Sequence, residues 1–242
     1  MRWCYGVTTH ISRRDTTLPI TLESLRAGGF NSPHLFIDGC RESNEYKHFG
    51  LDMTCRYPVV KTFGNWSLSV LELLMRDPQA ERFAIFQDDF ITSIGLREYL
   101  ESCQYPPNSY LNLFTFRDNE KVINGKPVGW YESSIAKNTR TFQTGRGAVA
   151  LVFSRDALQT LLHEKHFLDR PFGAGKWWRG VDGGVVCAMN KSGFREYVHN
   201  PSLIQHIGEI SSMGNAPHAK ANTFRGEEFD LRSLIQHQEI TV

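Results

Sequence analysis

The sequence predicts an α/β protein with a mainly parallel central sheet flanked by helices. Three observations carry that expectation. Strand-like and helix-like patterns alternate through the first hundred residues, as they do where parallel strands are joined by crossover helices. Trp66, Val70, Leu73 and Leu74 fall at helical spacing and make one apolar face over residues 64–77, which Asp77-Pro78 terminates. Phe83-Ala84-Ile85-Phe86 is apolar without alternation, the pattern of a central strand covered on both faces.

In chain order, Trp3 to Thr8 reads as a first strand, followed by a polar loop and a helix from Pro19 to Ala27 that the Gly28-Gly29 pair ends. Pro33 to Ile37 is a second strand closed by Asp38-Gly39, and Arg56 to Lys61 a weaker third, made ambiguous by Pro58. The amphipathic helix and the apolar strand come next, the strand running straight into Gln87-Asp88-Asp89. The second half predicts a helix over 95–103, a strand from Tyr110 to Phe116, and a long polar loop to Gly145 of the kind that serves as a lid or binding element. Gly147 to Phe153 is a further strand, 154–163 a helix capped by Ser154, and Val181 to Asn190 the last helix.

Composition supports one domain over residues 1–242: a hydrophobic fraction of 40% and a charged fraction of 22% exclude collagen-like, mucin-like, disordered and coiled-coil chains. Apolar runs free of charge extend only a few residues, as in Ala148 to Phe153, against the roughly 18 a membrane span needs. The N-terminus lacks an apolar signal stretch. The five cysteines are scattered and never in C-x-x-C spacing, which argues against a disulfide framework and a zinc site. A cytoplasmic location is the expectation. Net charge is only +1, yet residues 117–179 hold 11 basic against 6 acidic side chains, which makes that stretch +5 and the remainder −4.

Two adjacent carboxylates at the end of a buried strand repel each other, and a divalent cation holding a diphosphate would compensate them. The alternative is a solvated turn in which one Asp caps the next segment. Downstream, His206 stands between apolar residues, followed by Gly208, Ser211 and Ser212, which suits a metal ligand with phosphate donors or, alternatively, a histidine satisfied by backbone groups. Trp177-Trp178-Arg179 precedes Asp182, a sugar or base platform beside a carboxylate at a helix start; the plainer reading makes Asp182 an N-cap and one tryptophan core.

Together these residues resemble nucleotide-sugar glycosyltransferases of the GT-A (Rossmann-like) fold. Gln87-Asp88-Asp89-Phe90 looks like that fold's DxD-type element, and Pro201 to Ser212 is similar to the Pro-Ser-Leu-x-Gln-His-x-Gly-x-x-Ser-Ser pattern of the type IV branching N-acetylglucosaminyltransferases. The resemblance covers residues 3–214; because the chain is far smaller than those luminal enzymes and shows neither their anchor nor their disulfide-permissive context, their glycan acceptor does not carry over and the expectation is a compact bacterial or phage relative, with a nucleotide-sugar-binding half (1–116), an acceptor and catalytic half (117–214) and a tail (215–242). The resemblance implies Asp89 and His206 as ligands of Mn²⁺ or Mg²⁺, Asp88 near the donor's ribose or sugar, and Asp182 as the general base of an inverting transfer. The donor, a UDP-sugar by family likeness, would lie near Thr8, Thr9, Arg13 and Asp38, with Asn65 capping its helix or touching the donor and Ser211 and Ser212 on phosphate.

Arg146, Trp177, Trp178 and Arg179 would receive the acceptor, a saccharide or a hydroxymethylated base in phage DNA, since basic charge interleaved with aromatics suits a polyanion and exposed bases. No obligate protein partner is implied. A nucleotidyltransferase shares the sheet and metal carboxylates, but no Gly-rich phosphate loop follows the first strand. A nucleotide-sugar or nucleic-acid binding module without catalysis is the third reading.

Overall fold

The computed structural model of the chain describes residues 1–133, 147–165, 181–208 and 220–237. Its strands are β1 (Trp3–His10), β2 (His34–Asp38), β3 (Met53–Arg56), β4 (Arg82–Gln87), β5 (Phe90–Thr92), β6 (Ser109–Asn112), β7 (Gly129–Glu132), β8 (Ala150–Ser154), β9 (Arg195–Asn200) and β10 (Ile204–His206). Its helices are α1 (Thr17–Ala27), α2 (Lys61–Arg76), α3 (Leu96–Ser102), α4 (Arg117–Ile123), α5 (Arg155–His163) and α6 (Val181–Lys191).

Eight strands form one sheet in the order β3-β2-β1-β4-β8-β6-β9-β7. The run from β3 to β4 is parallel, β8 is antiparallel to both its neighbours, β6 and β9 are parallel, and β7 closes the edge antiparallel. β4 sits between β1 and β8 and alternates between two cores. Phe83 and Ile85 pack with Trp66, Val70 and Leu73 of α2, Leu158 of α5 and Val185 of α6, while Ala84 and Phe86 pack with Leu18, Leu22 and Leu25 of α1 and Tyr99 of α3. Helices on both faces explain why this strand reads as unbroken apolar sequence. The tight seam between β1 and β2 requires Gly6, because a Cβ there would stand 2.5 Å from Phe36 Cε2 and 2.7 Å from the His34 carbonyl.

α2 buries Trp66, Val70 and Leu73 as its spacing predicts and ends at Arg76, before Pro78. α5 starts after Ser154, whose hydroxyl accepts from Ala157 N–H (3.1 Å). Other expectations are corrected. The third strand is Met53–Arg56 rather than 56–61, since β2 offers Leu35 to Asp38 as partners and Pro58 has no N–H to donate. The strand expected from Tyr110 to Phe116 stops at Asn112, whose side-chain oxygen takes the N–H of Phe114 (3.1 Å) and turns the chain. The expected long loop contains α4 and β7, and its residues 134–146 lie outside the described part.

β5 and β10 form a separate two-stranded antiparallel sheet pairing Phe90 with His206 and Thr92 with Ile204. Each is three residues long, too short for a sequence period to reveal. The open edge of β5 is finished by side chains of α1. Thr21 accepts from Phe90 N–H (3.2 Å) and donates to its carbonyl (2.8 Å), and Ser24 does the same for Thr92 (2.8 and 3.2 Å). Near the C-terminus a 3₁₀ segment, Leu231–His237, buries Leu231 and Leu234 in the α1/α3 core, and Asp230 bridges to Ile94.

Candidate active site

Thr8, Thr9, Arg13, Asp38, Asn65, Asp88 and Asp89 line one cavity of about 530 Å³ at the carboxyl ends of β1, β2 and β4. In an open α/β sheet ligands bind at that end. His10, Ser12, Val59, Lys61, Thr62 and Gln87 complete the lining. Sequence reasoning missed these; Gln87 stood next to the acidic pair, whereas Val59, Lys61 and Thr62 arrive only because α2 starts beside β1.

The wall is held by polar side chains in backbone roles. Asp38 Oδ1 accepts from Val60 N–H (2.8 Å) at the start of α2. Asn65 donates to the carbonyls of Thr9 (3.3 Å) and Phe36 (3.0 Å) and accepts from Arg56 Nε (2.8 Å). The expected cap role of Asn65 is corrected: it lies inside α2, whose N-cap is Val60, and it ties β1, β2 and β3 to the helix. Thr8 Oγ1 donates to the Phe86 carbonyl (3.1 Å).

The adjacent carboxylates are both buried, and their surroundings differ. Asp88 accepts a 2.5 Å hydrogen bond from Thr9 Oγ1. Burial, and after it the charge of Asp89, push the Asp88 carboxyl up to about 7. Asp89 Oδ2 lies 3.5 Å from His206 Nε2 and 3.9 Å from Arg13 Nη1, and Asp89 Oδ1 is buried without a hydrogen-bond partner among the described residues. An orphaned buried carboxylate oxygen is costly unless something positive meets it.

His206 reaches this position through the β5–β10 pair, continued by Ile207 N–H donating to the Asp89 carbonyl (2.9 Å). Its Nδ1 accepts from Gly208 N–H (3.1 Å), so in the neutral ring the proton sits on Nε2 and points at Asp89. Gly208 closes over the pair: a Cβ there would stand 2.7 Å from His206 Cε1 and 3.0 Å from Asp89 Oδ2. One carboxylate and one imidazole are donors that suit Mn²⁺ or Mg²⁺ when substrate phosphate and water supply the remaining positions. Binding through Nε2 requires the ring proton to leave that nitrogen and the Gly208 N–H to be released. The described residues contain no cluster of three or more metal-ligating side chains.

Asp182 opens the first turn of α6 and does not line the cavity. Its Oδ2 accepts from Gly147 N–H (2.7 Å). Gly147 abuts Phe114, whose ring lies 6.3 Å from that of His206. Ala148 and Val149 accept hydrogen bonds from Gln87 (2.9 and 2.7 Å), which brings the α6 start to the acidic end of β4. Arg146, Trp177, Trp178, Arg179, Ser211 and Ser212 lie outside the described residues.

The solved structure of GalNAc-T7 with UDP, GalNAc and Mn²⁺ matches with a TM-score of 0.57 and 11% identity over 96% of this chain. The fold is GT-A-like. The chain spans 47% of that structure's length. Two further solved structures align more loosely. A mannose-1-phosphate geranyltransferase from Thermus thermophilus has a TM-score of 0.44 at 15% identity over 82% of this chain and 74% of its own. CMP:2-keto-3-deoxy-manno-octonic acid synthetase complexed with CTP has 0.43 at 9% over 84% and 92%. Below 0.5 these two add nothing to the GT-A-like assignment. No family model matches the chain, and no curated protein matches it in sequence. No helix among the described residues is long and apolar enough to cross a membrane.

Proposed function

We propose that the chain is a divalent-cation-dependent glycosyltransferase, moving a sugar from a nucleotide diphosphate sugar to an acceptor hydroxyl. One observation carries the reading: Asp89, which has one buried carboxylate oxygen without a hydrogen-bond partner among the described residues, lines a 530 Å³ cavity on a GT-A-like sheet and lies 3.5 Å from the His206 imidazole beside it. Support for a UDP-sugar donor comes from the Pro201 to Ser212 pattern shared with the type IV branching N-acetylglucosaminyltransferases and from the UDP and Mn²⁺ in the matching GalNAc-T7 structure. In this reading one domain carries the donor in its first half and the acceptor in its second, and works in the cytoplasm of a bacterial or phage-infected cell.

Asp89 and His206 would hold the cation, which supplies Lewis-acid stabilisation of the departing diphosphate. Thr9 orients Asp88 toward the donor, Arg13 adds positive charge beside Asp89, and Asp38 and Asn65 shape the wall against which the nucleoside sits. Asp182, its carboxylate aimed by Gly147 N–H, takes the acceptor proton as that oxygen attacks the anomeric carbon, giving inversion by one displacement. The acceptor is a saccharide or, given the +5 stretch over 117–179, a hydroxymethylated base in DNA.

Transfer and donor hydrolysis are to be followed with UDP-sugars and Mn²⁺, using saccharide and hydroxymethylated DNA acceptors and NMR of the product anomer. Asp89→Ala is expected to abolish both activities. Asp182→Asn is expected to lower turnover about 10²–10⁴-fold while donor affinity by calorimetry stays within a factor of about two. Full activity in both variants would sink the proposal, and pyrophosphate release from a nucleoside triphosphate would replace it with nucleotidyl transfer.

A further inference from the structure

The five cysteines are scattered in sequence, yet the fold brings two of them together. β2 and β3 pair with Ile37 opposite Cys55. The chain leaves β2 through Gly39 at φ +82°, a left-handed turn whose N–H donates to the Arg56 carbonyl (3.0 Å). That turn carries Cys40 back over the end of β3, so that Cys40 Sγ and Cys55 Sγ lie 2.7 Å apart. Cys40 is buried, its sulfur also 3.1 Å from the Glu42 carbonyl, and Cys55 is half-buried. Two of the other sulfurs meet carbonyls, Cys4 that of Leu73 (3.2 Å) and Cys103 that of Tyr99 (3.1 Å).

We propose that Cys40 and Cys55 form a dithiol site that closes to a disulfide by exchange with a small-molecule disulfide such as oxidised glutathione. The sulfurs need approach by only about another 0.7 Å to reach bonding distance. In the first step the half-exposed Cys55, as thiolate, attacks one sulfur of the small disulfide, forming a mixed disulfide and expelling one thiolate. In the second, Cys40 attacks the Cys55 sulfur and expels the other half. The two cysteines lose two electrons and two protons, and the small disulfide becomes two thiols that take them up. In a reducing compartment the pair rests as thiols.

Closure would fasten the turn that follows Asp38 to the strand that ends in Arg56. Those residues hold Val60 and Asn65, so the bridge braces the cavity wall without touching the acidic pair. The site stands whether or not the transferase reading holds. Burial and the neighbouring thiol push Cys55 up to about 12, which makes exchange slow at neutral pH and calls for incubation over hours at about pH 8.5.

The test treats the full chain with oxidised glutathione, blocks remaining thiols under denaturing conditions, and maps peptides by mass. The expected result is a linked pair of peptides containing Cys40 and Cys55, lighter than the free pair by two hydrogen atoms. Closing a short loop should raise Tm by about 5–10 °C, reversibly with dithiothreitol. Cys40→Ser should instead leave a glutathione adduct on Cys55 and Cys55→Ser should leave the buried Cys40 unmodified, both without that rise. In the wild type, unlinked peptides, a persistent glutathione adduct on either cysteine, or an unchanged Tm after linkage would each overturn the proposal, and the wild-type map decides even where a variant fails to fold.

Discussion

Asp88 and Asp89 are neighbours in sequence with opposite surroundings: one is bound by a threonine hydroxyl, the other has a buried oxygen with no partner among the described residues. The difference arises in the bend between β4 and β5, which sends the two side chains to different partners. Asp88 is turned back to β1, and Asp89 is turned to the β5–β10 sheet that delivers His206. Gly208 is the smallest residue that lets this second arrangement close. Gly208→Ala is expected to keep the circular dichroism of the wild type while weakening Mn²⁺ binding in the presence of UDP at least about tenfold, because a methyl group displaces the His206 ring or the Asp89 carboxylate. Unchanged Mn²⁺ affinity by calorimetry would show that the close approach serves packing alone.

At the scale of elements, the site depends on two short strands that neither a hydrophobic period nor a turn signal announces. Their alignment is secured by neighbours: Thr21 and Ser24 of α1 on one edge, and on the other side the return of the chain at residues 220–224. Gln205 exchanges two hydrogen bonds with the Ala221 backbone (2.8 and 3.0 Å). Glu120 of α4 accepts from Asn222 Nδ2 (3.0 Å), Thr223 N–H (2.8 Å) and Thr223 Oγ1 (2.7 Å). That buried carboxylate pins to α4 the segment that follows β10. Glu120→Ala is expected to cost about 2–4 kcal/mol in urea unfolding, since charge-assisted bonds are lost and their donors left unpaired. A loss below about 0.5 kcal/mol would mean that the return segment is held by its other contacts.

For the whole molecule, stability depends on a further buried acid, one that does not line the cavity. Glu196 on β9 is fully buried and approached by Tyr110 Oη (3.3 Å) and Asn112 Nδ2 (3.4 Å). Burial pushes its carboxyl from 4.5 up to about 7, against the hydrogen bonds of Ser133, Asn112 and Tyr110. The folded state therefore holds this proton more tightly than the unfolded chain. The resulting stabilisation is complete below about pH 4.5 and lost as pH rises through about 7. Glu196→Gln, neutral at every pH, is expected to be more stable than wild type by roughly 2–4 kcal/mol at pH 8 and equal to it near pH 4. Parallel stability curves for the two proteins across that range would refute the assignment.

Local sequence pattern specifies the layered α/β architecture, the doubly covered strand β4, helix α2, the cap of α5 and the identity of the residues at the strand ends. Those features are written in local spacing: an apolar quartet, a helical stripe, a serine before a helix. It also placed Asp88, Asp89 and His206 among the candidates on residue type and on one specific pattern. Tertiary structure alone decided that Asp89 and His206 meet, that Asn65 joins three strands instead of capping a helix, that α4 and β7 interrupt an apparent loop, and that Cys40 lies against Cys55. Apart from α4, each is a contact made only once separate segments pack side by side, and a three-residue strand or a single turn carries too little local pattern to show which edge it will meet.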